Sequence, residues 1–180
     1  MGSTPPLQIP ITSVCSHASP KPKISPISRF TLDAFWRNGN SAVIAELKSL
    51  RRVTSILVTE VLQVQNNPAL ASKFFHWADK QKGFKHNFAS YNAFAYCLKR
   101  KGLYRTADQL PELMYSQGKP PSEKQFEILI GMHANQNRGL GVYYVYEKMK
   151  KYGTKPRVFL YNGIMDALVK NGYLDLALSV

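Results

Sequence analysis

An aromatic residue followed by a polar one recurs at a fixed interval along this chain. Tyr91-Asn92 returns as Phe126-Glu127 and again as Tyr161-Asn162. Gly83, Gly118 and Gly153 keep the same interval of 35 residues, Met114 returns as Met149, and Pro121 as Pro156. A period in the thirties is the mark of one supersecondary unit copied in tandem. Such units stack into an elongated solenoid that offers a long concave surface. The repeat therefore excludes most compact folds and turns the question of function into what that surface touches.

Within each period the apolar residues follow a helix. Tyr91, Phe94, Ala95 and Leu98 fall at i, i+3, i+4 and i+7. Phe126, Leu129, Ile130 and His133 take the same offsets, as do Tyr161, Ile164, Met165 and Leu168. Three matches to one template specify three first helices. Turn signals follow at Lys101-Gly102, Arg138-Gly139 and Asn171-Gly172. Second helices then carry Ala107, Leu110 and Met114, matched by Val142, Val145 and Met149. Gly118 and Gly153 stop these helices, and Pro121 and Pro156 keep them from continuing. No stretch alternates with period two for long enough to make a sheet, so the expected fold class is all-α.

Upstream, Ala42, Leu47 and Leu50, then Ile56, Leu57 and Val61, mark less regular helix faces. Asn67-Pro68 reads as a helix start, because Asn caps and Pro suits the first turn. That helix carries Leu70, Phe74, Phe75 and Trp77 and ends near Gly83. Two residues break local rules. Pro111 lies inside a predicted second helix, where proline costs about 3 kcal/mol, so a kink or a late start is expected there. His133 stands on a core face, and His17, His76 and His86 give it no metal-ligand spacing, so it is expected to be structural.

Composition narrows the partner. Lys and Arg number 24 against 11 acidic residues, a net charge of +13. Only Lys21, Lys23 and Arg29 of these cations lie before residue 31, so the repeats themselves are basic. That excess favours a polyanion. No apolar run approaches the ~20 residues of a membrane span. Cys15 and Cys97 belong to no metal-spaced cluster and fit a reduced compartment. Residues 1–30 hold no Asp or Glu and are rich in Ser, Thr and Pro, which fits an organellar transit peptide. Their six prolines oppose a clean amphipathic helix and lean towards a plastid over a mitochondrion.

With these residues in place, the chain resembles the pentatricopeptide repeat family of RNA-binding proteins, abundant in plant organelles. The resemblance rests on Val158-Phe159-Leu160-Tyr161-Asn162-Gly163-Ile164-Met165-Asp166-Ala167-Leu168-Val169-Lys170-Asn171-Gly172, which is close to the typical opening of a unit. Tyr144-Val145-Tyr146-Glu147-Lys148-Met149-Lys150-Lys151-Tyr152-Gly153-Thr154-Lys155-Pro156 is similar to its typical close. The related protein-binding tetratricopeptide units are one residue shorter. The resemblance implies a right-handed α-solenoid with a disordered leader over 1–30 and a linker with an N-terminal helix over 31–53. It implies a degenerate unit over 54–87, full units over 88–122 and 123–157, and a truncated unit over 158–180. On this reading the chain is part of a longer array.

The resemblance also implies a way of binding: each unit reads one base of single-stranded RNA. The residue after the first-helix aromatic meets the base edge, and the last residue of the unit supports it. Asn92 thus pairs with Ser122 and Glu127 with Arg157, while Asn162 lacks its partner. Glu127 with Arg157 departs from the usual pairs, and a bond between the two is the alternative there. Ala89 and Phe159 occupy the base-flanking position, where Lys124 departs from the apolar pattern. Arg100 and Lys170 occupy a basic position near the backbone phosphates. Tyr91, Phe126 and Tyr161 share the apolar stripe and are expected in the core. No HExxH, CxxC pair, P-loop or GxSxG is present, so neither an enzyme nor a cofactor is implied. The expected partner is organellar RNA in processing, stability or translation, with no membrane and no small-molecule substrate. A protein–protein scaffold is the alternative, and non-specific polyanion binding a second rival.

Overall fold

The computed structural model describes residues 24–38 and 52–180, and every regular element among them is a helix. The first, α1 (Pro26–Asn38), begins inside the stretch expected to be a disordered leader up to residue 30. Its start is held by long-range bonds. The Glu60 carboxylate accepts from the Ser25 amide at 3.1 Å, from Ser25 Oγ at 2.7 Å and from Ser28 Oγ at 2.6 Å. Local composition could not reveal this, because the acceptor lies more than thirty residues downstream. Cys15 and the expected helix face of Ala42, Leu47 and Leu50 lie outside the described residues.

Two helices follow, α2 (Ser55–Val64) and α3 (Pro68–Asp79). Asn67 caps α3 as expected, its Oδ1 accepting from Ala69 N at 3.0 Å and Leu70 N at 3.3 Å. In α2, Leu57, Val58, Val61 and Leu62 are buried, whereas Ile56 is 71% exposed. The apolar face is thus turned one residue from the expected one.

The repeated helices begin at equal intervals: α4 (Phe88–Arg100), α7 (Glu123–Ala134) and α9 (Val158–Lys170). Each packs on the next, and α2 packs on α4, so first helices form one layer. Second helices pair with them: α5 (Tyr104–Ala107), continued after a break by α6 (Leu110–Ser116), behind α4, α8 (Gly139–Lys151) behind α7, and α10 (Leu174–Ser179) behind α9. The break between α5 and α6 falls where Pro111 was expected to disturb the helix, with Pro111 in the first turn of α6. There Lys148 Nζ, from the following unit, donates to the Asp108 carbonyl and pairs with Glu112 at 2.8 Å. Burial pulls that ammonium's pKa down, but its bonds to Glu112 and Tyr144 outweigh the pull and hold it above the usual lysine value.

The hairpin turn of the second unit differs from the expected Arg138-Gly139. The left-handed residue is Asn137, at φ 52°, in register with Gly102 at 67° and Gly172 at 80°. Asn tolerates this conformation better than other side chains. Gly139 instead opens α8, where a Cβ would meet Tyr173 Cδ2 at 2.6 Å and Asn171 Cβ at 2.8 Å. The second helices α6 and α8 close alike, with Lys119 N on Met114 O and Thr154 N on Met149 O, both at 2.9 Å.

Tyr91, Phe94, Ala95 and Leu98 are buried, as are Phe126, Leu129, Ile130 and His133. In α9, Ile164 and Leu168 are buried but Met165 is 37% exposed. Phe75 sits at the centre of an aromatic cluster. Its ring stacks on His86 at 3.7 Å and on Phe94 at 4.4 Å, and meets Tyr91 at 5.4 Å. His86 Nε2 donates to the Phe75 carbonyl at 2.9 Å. Burial pushes the His86 pKa below the ordinary 6.5, against the opposing pull of that carbonyl. The folded state therefore prefers the neutral ring. Its stabilising effect is complete above the unfolded value and is lost as pH falls through the lower folded value. Thermal melts at about pH 7.5 and about pH 5 should show a lower Tm in acid, with a smaller drop in His86→Leu.

Candidate nucleic-acid interface

Helical spacing of three and then four residues places side chains on one face. On α4 that face carries Ala89, Asn92 and Tyr96; on α7 it carries Lys124, Glu127 and Gly131; on α9, Phe159, Asn162 and Asp166. All of these are exposed or half-buried, on the side away from the apolar stripe. Tyr91 and Phe126 are wholly buried, and Tyr161 is half-buried with its ring edge-on to Tyr146 at 6.2 Å. These aromatics are core residues, and the residues immediately after them line the open surface.

The best-formed position joins two units. Asn92 Oδ1 accepts from Gln125 Nε2 at 2.7 Å. Gln125 Oε1 in turn accepts from the Ser122 amide at 2.7 Å and from Ser122 Oγ. Ser122 is the N-cap of α7 and forms a capping box with Gln125. The expected partners Asn92 and Ser122 are thus connected, through a third residue that is almost fully buried. This chain fixes the orientation of the Asn92 amide and leaves its Nδ2 hydrogens free to donate outwards. Gln125 was not anticipated as part of the site, although its place three residues after Ser122 is the signature of a capping box.

The second pair behaves differently. Glu127 accepts from Lys124 Nζ at 2.9 Å. Arg157 binds Glu123 twice, through its amide at 2.7 Å and its Nε at 2.5 Å. The alternative of a direct Glu127–Arg157 bond is therefore corrected: each has a nearer partner, Lys124 on the adjacent turn and Glu123 beneath the α9 N-terminus. The Arg157 amide holds the Glu123 carboxyl below its usual range. Hydrogen bonding to Glu127, aided by Tyr96, keeps the Lys124 ammonium above its own. Asn162 is exposed and has no hydrogen-bond partner among the described residues. Ala89 is exposed, and Phe159 is 83% exposed.

The two cations expected near phosphates are both engaged. Arg100 Nη2 donates to Gln65 O at 2.8 Å and to Leu62 O at 3.4 Å, closing the last turn of α2. Lys170 Nζ pairs with Asp166 at 2.6 Å. Cys97 Sγ also donates to Gln65 O, at 3.2 Å, and burial raises its thiol pKa. Among the described residues, no three His, Cys, Asp or Glu side chains gather as a metal would require, and no helix is long and apolar enough to cross a membrane.

Tandem helical hairpins in register, with matched polar positions along one open face, define a helical-repeat solenoid. Comparison with known proteins identifies which one. The family model described as a pentatricopeptide repeat domain matches residues 133–171. A pentatricopeptide repeat-containing protein of Arabidopsis thaliana is 68% identical over 94% of this chain and 23% of its own length. The chloroplastic pentatricopeptide repeat-containing protein OTP51 of Oryza sativa subsp. japonica is 34% identical over 60% of this chain and 14% of its own. The chain thus spans less than a quarter of either relative. Among solved structures, the PPR domain of Arabidopsis thaliana protein-only RNase P 1, in complex with tRNA, aligns with a TM-score of 0.63 at 13% identity, covering 84% of this chain and 80% of that one. The pentatricopeptide repeat protein PPR10 in complex with an 18-nt psaJ RNA element aligns at 0.60 and 18% identity, covering 85% of this chain and 24% of that one. The chain belongs to the pentatricopeptide repeat family.

Proposed function

We propose that this chain is a single-stranded-RNA-binding segment of an organellar protein acting in RNA processing, stability or translation. The carrying observation is the repeated polar position on the open face of successive first helices, occupied by Asn92, Glu127 and Asn162. At Asn92 it is already oriented by the Gln125–Ser122 relay. An amide held in this way can donate to and accept from a base edge. Repeat boundaries at 54–87, 88–122, 123–157 and 158–180 follow from the same register. Chloroplastic and mitochondrial relatives support an organelle, and the proline-rich, acid-free first thirty residues favour the chloroplast.

The Asn92–Ser122 unit is the principal base reader, with an exposed Phe159 as a stacking surface further along. The Glu127–Arg157 unit contributes less, because both side chains are held in ion pairs. Stacking contributes about 1–3 kcal/mol per base, and few units are present, so binding by this chain alone is weak and salt-dependent. Asn92 with Ser122 resembles a pair that the family uses for a pyrimidine, cytosine more than uracil, so fluorescence anisotropy with an unstructured pyrimidine-rich RNA tests this. Asn92→Ala should weaken binding about fivefold, the equivalent of one hydrogen bond of about 1 kcal/mol, with a modest fall in Tm because the buried Gln125 Nε2 loses its acceptor. Equal competition by DNA of the same sequence, or salt-insensitive binding, would contradict the proposal. Retention of a protein partner by Asn92→Ala with no RNA binding in the parent would favour the scaffold.

A further inference from the structure

Of the two adjacent cations that end α4, one faces the preceding helix and the other faces the open surface. Arg100 is committed to the preceding unit. Its guanidinium bonds Gln65 O and Leu62 O at the C-terminus of α2, where unsatisfied carbonyls and the helix dipole both favour a cation. A phosphate contact by Arg100 would have to compete with those bonds. Lys99 instead crosses towards the next unit and lies over Gly131, where a Cβ would come within 3.0 Å of Lys99 Nζ.

Gly131 explains itself through this contact. It stands inside α7 with ordinary helical geometry, a place where glycine is about 1 kcal/mol worse than alanine. Its register position matches Tyr96 on α4 and Asp166 on α9, so the lysine crosses the same open face that carries Asn92 and Glu127. The missing side chain leaves a shallow seat for an ammonium group. The other lysines near this face are neutralised: Lys124 by Glu127 and Lys170 by Asp166. No carboxylate pairs with Lys99 among the described residues. A half-buried cation without a carboxylate, seven residues beyond Asn92 and hence about 10 Å along the helix axis, is placed for an anion that runs beside the bases.

We infer that Lys99, seated over Gly131, is the phosphate-contacting cation of the Asn92–Ser122 unit, and that Arg100 is a positioning residue that clamps α2. This rests on the RNA-binding reading above. The ligand group is the phosphodiester of a single strand.

The test uses the full chain, the pyrimidine-rich RNA and a salt titration, alongside thermal unfolding. Each phosphate contact to a single strand adds about 0.7 to the slope of log K against log salt. Lys99→Gln should lower that slope by about 0.7 with an unchanged Tm, and Lys99→Arg should restore it. Arg100→Gln should keep the slope and lower Tm by about 5 °C. An unchanged slope in Lys99→Gln, while the parent binds RNA, overturns this inference and leaves the RNA-binding reading intact. A slope loss in Arg100→Gln equal to that of Lys99→Gln, with Tm unchanged, overturns it as well. No binding by the parent overturns both readings together.

Discussion

Phe75→Ala is expected to lower the stability of the chain by about 3–5 kcal/mol, the usual range for removing a buried phenylalanine. Phe75 is 1% exposed and touches rings from three places in the sequence: His86 at 3.7 Å, Tyr91 at 5.4 Å and Phe94 at 4.4 Å. The cavity would open between α3 and α4, at the joint of the degenerate unit with the first regular one. The residues around it are held by other contacts and cannot collapse into the space. His86 keeps its bond from Ser90 and its place against Phe84, and Tyr91 is wholly buried. Thermal unfolding followed by circular dichroism should show Tm falling by roughly 10 °C. A fall of a degree or two would mean that the degenerate unit is only loosely attached to the repeats.

Gly141→Ala should be destabilising although it places a better helix former in α8. Alanine would normally gain about 1 kcal/mol over glycine inside a helix. Here its Cβ would meet the His133 ring, at 2.7 Å from Cε1 and 2.8 Å from Cγ. His133 is 2% exposed and cannot swing away without losing its Nε2 contact with the Asp108 carboxylate at 3.0 Å. The Tyr104 ring closes another side at 5.5 Å. Overpacking of this kind costs about 1–3 kcal/mol, which outweighs the helix gain and breaks the link to Asp108 as well. A net loss of about 2 kcal/mol is expected. The sign should reverse in a His133→Ala background, where the same change has room and should gain up to ~1 kcal/mol. A double-mutant cycle in chemical denaturation measures that coupling. If the two substitutions prove additive, His133 does not pack against α8 as described.

The same residues mark the limit of what patterns reveal. His133 was legible as a structural histidine, because it stands on an apolar stripe without companions at ligand spacing. Its partner Asp108 was not, since the two are brought together only when α7 packs behind α5. Pro111 announced a disturbed helix, but the carbonyl exposed there is satisfied by Lys148 from the following unit. In the second hairpin the turn was read at Gly139, when the left-handed residue is Asn137. Glycine is the commoner signal for that conformation and drew the reading two residues too far. At the candidate interface, the pairing of Asn92 with Ser122 was an expectation from the family resemblance, and the folded chain links the two through a third side chain. Gln125, which joins them, was readable only as a cap.

The period and the apolar spacing determined that the repeats are all-α, that their hairpins stack in register, and most of the residues that make their core. A repeated pattern can do this because each unit buries the same face against its neighbour. Tertiary structure alone decided how the charges are spent. The resemblance assigned Arg100 to phosphate, yet the folded chain turns it onto the carbonyls of α2 and leaves Lys99 over Gly131. Long cationic side chains reach several ångströms and take whichever partner the neighbouring helix presents, so their roles depend on distances between units that no spacing within a unit specifies.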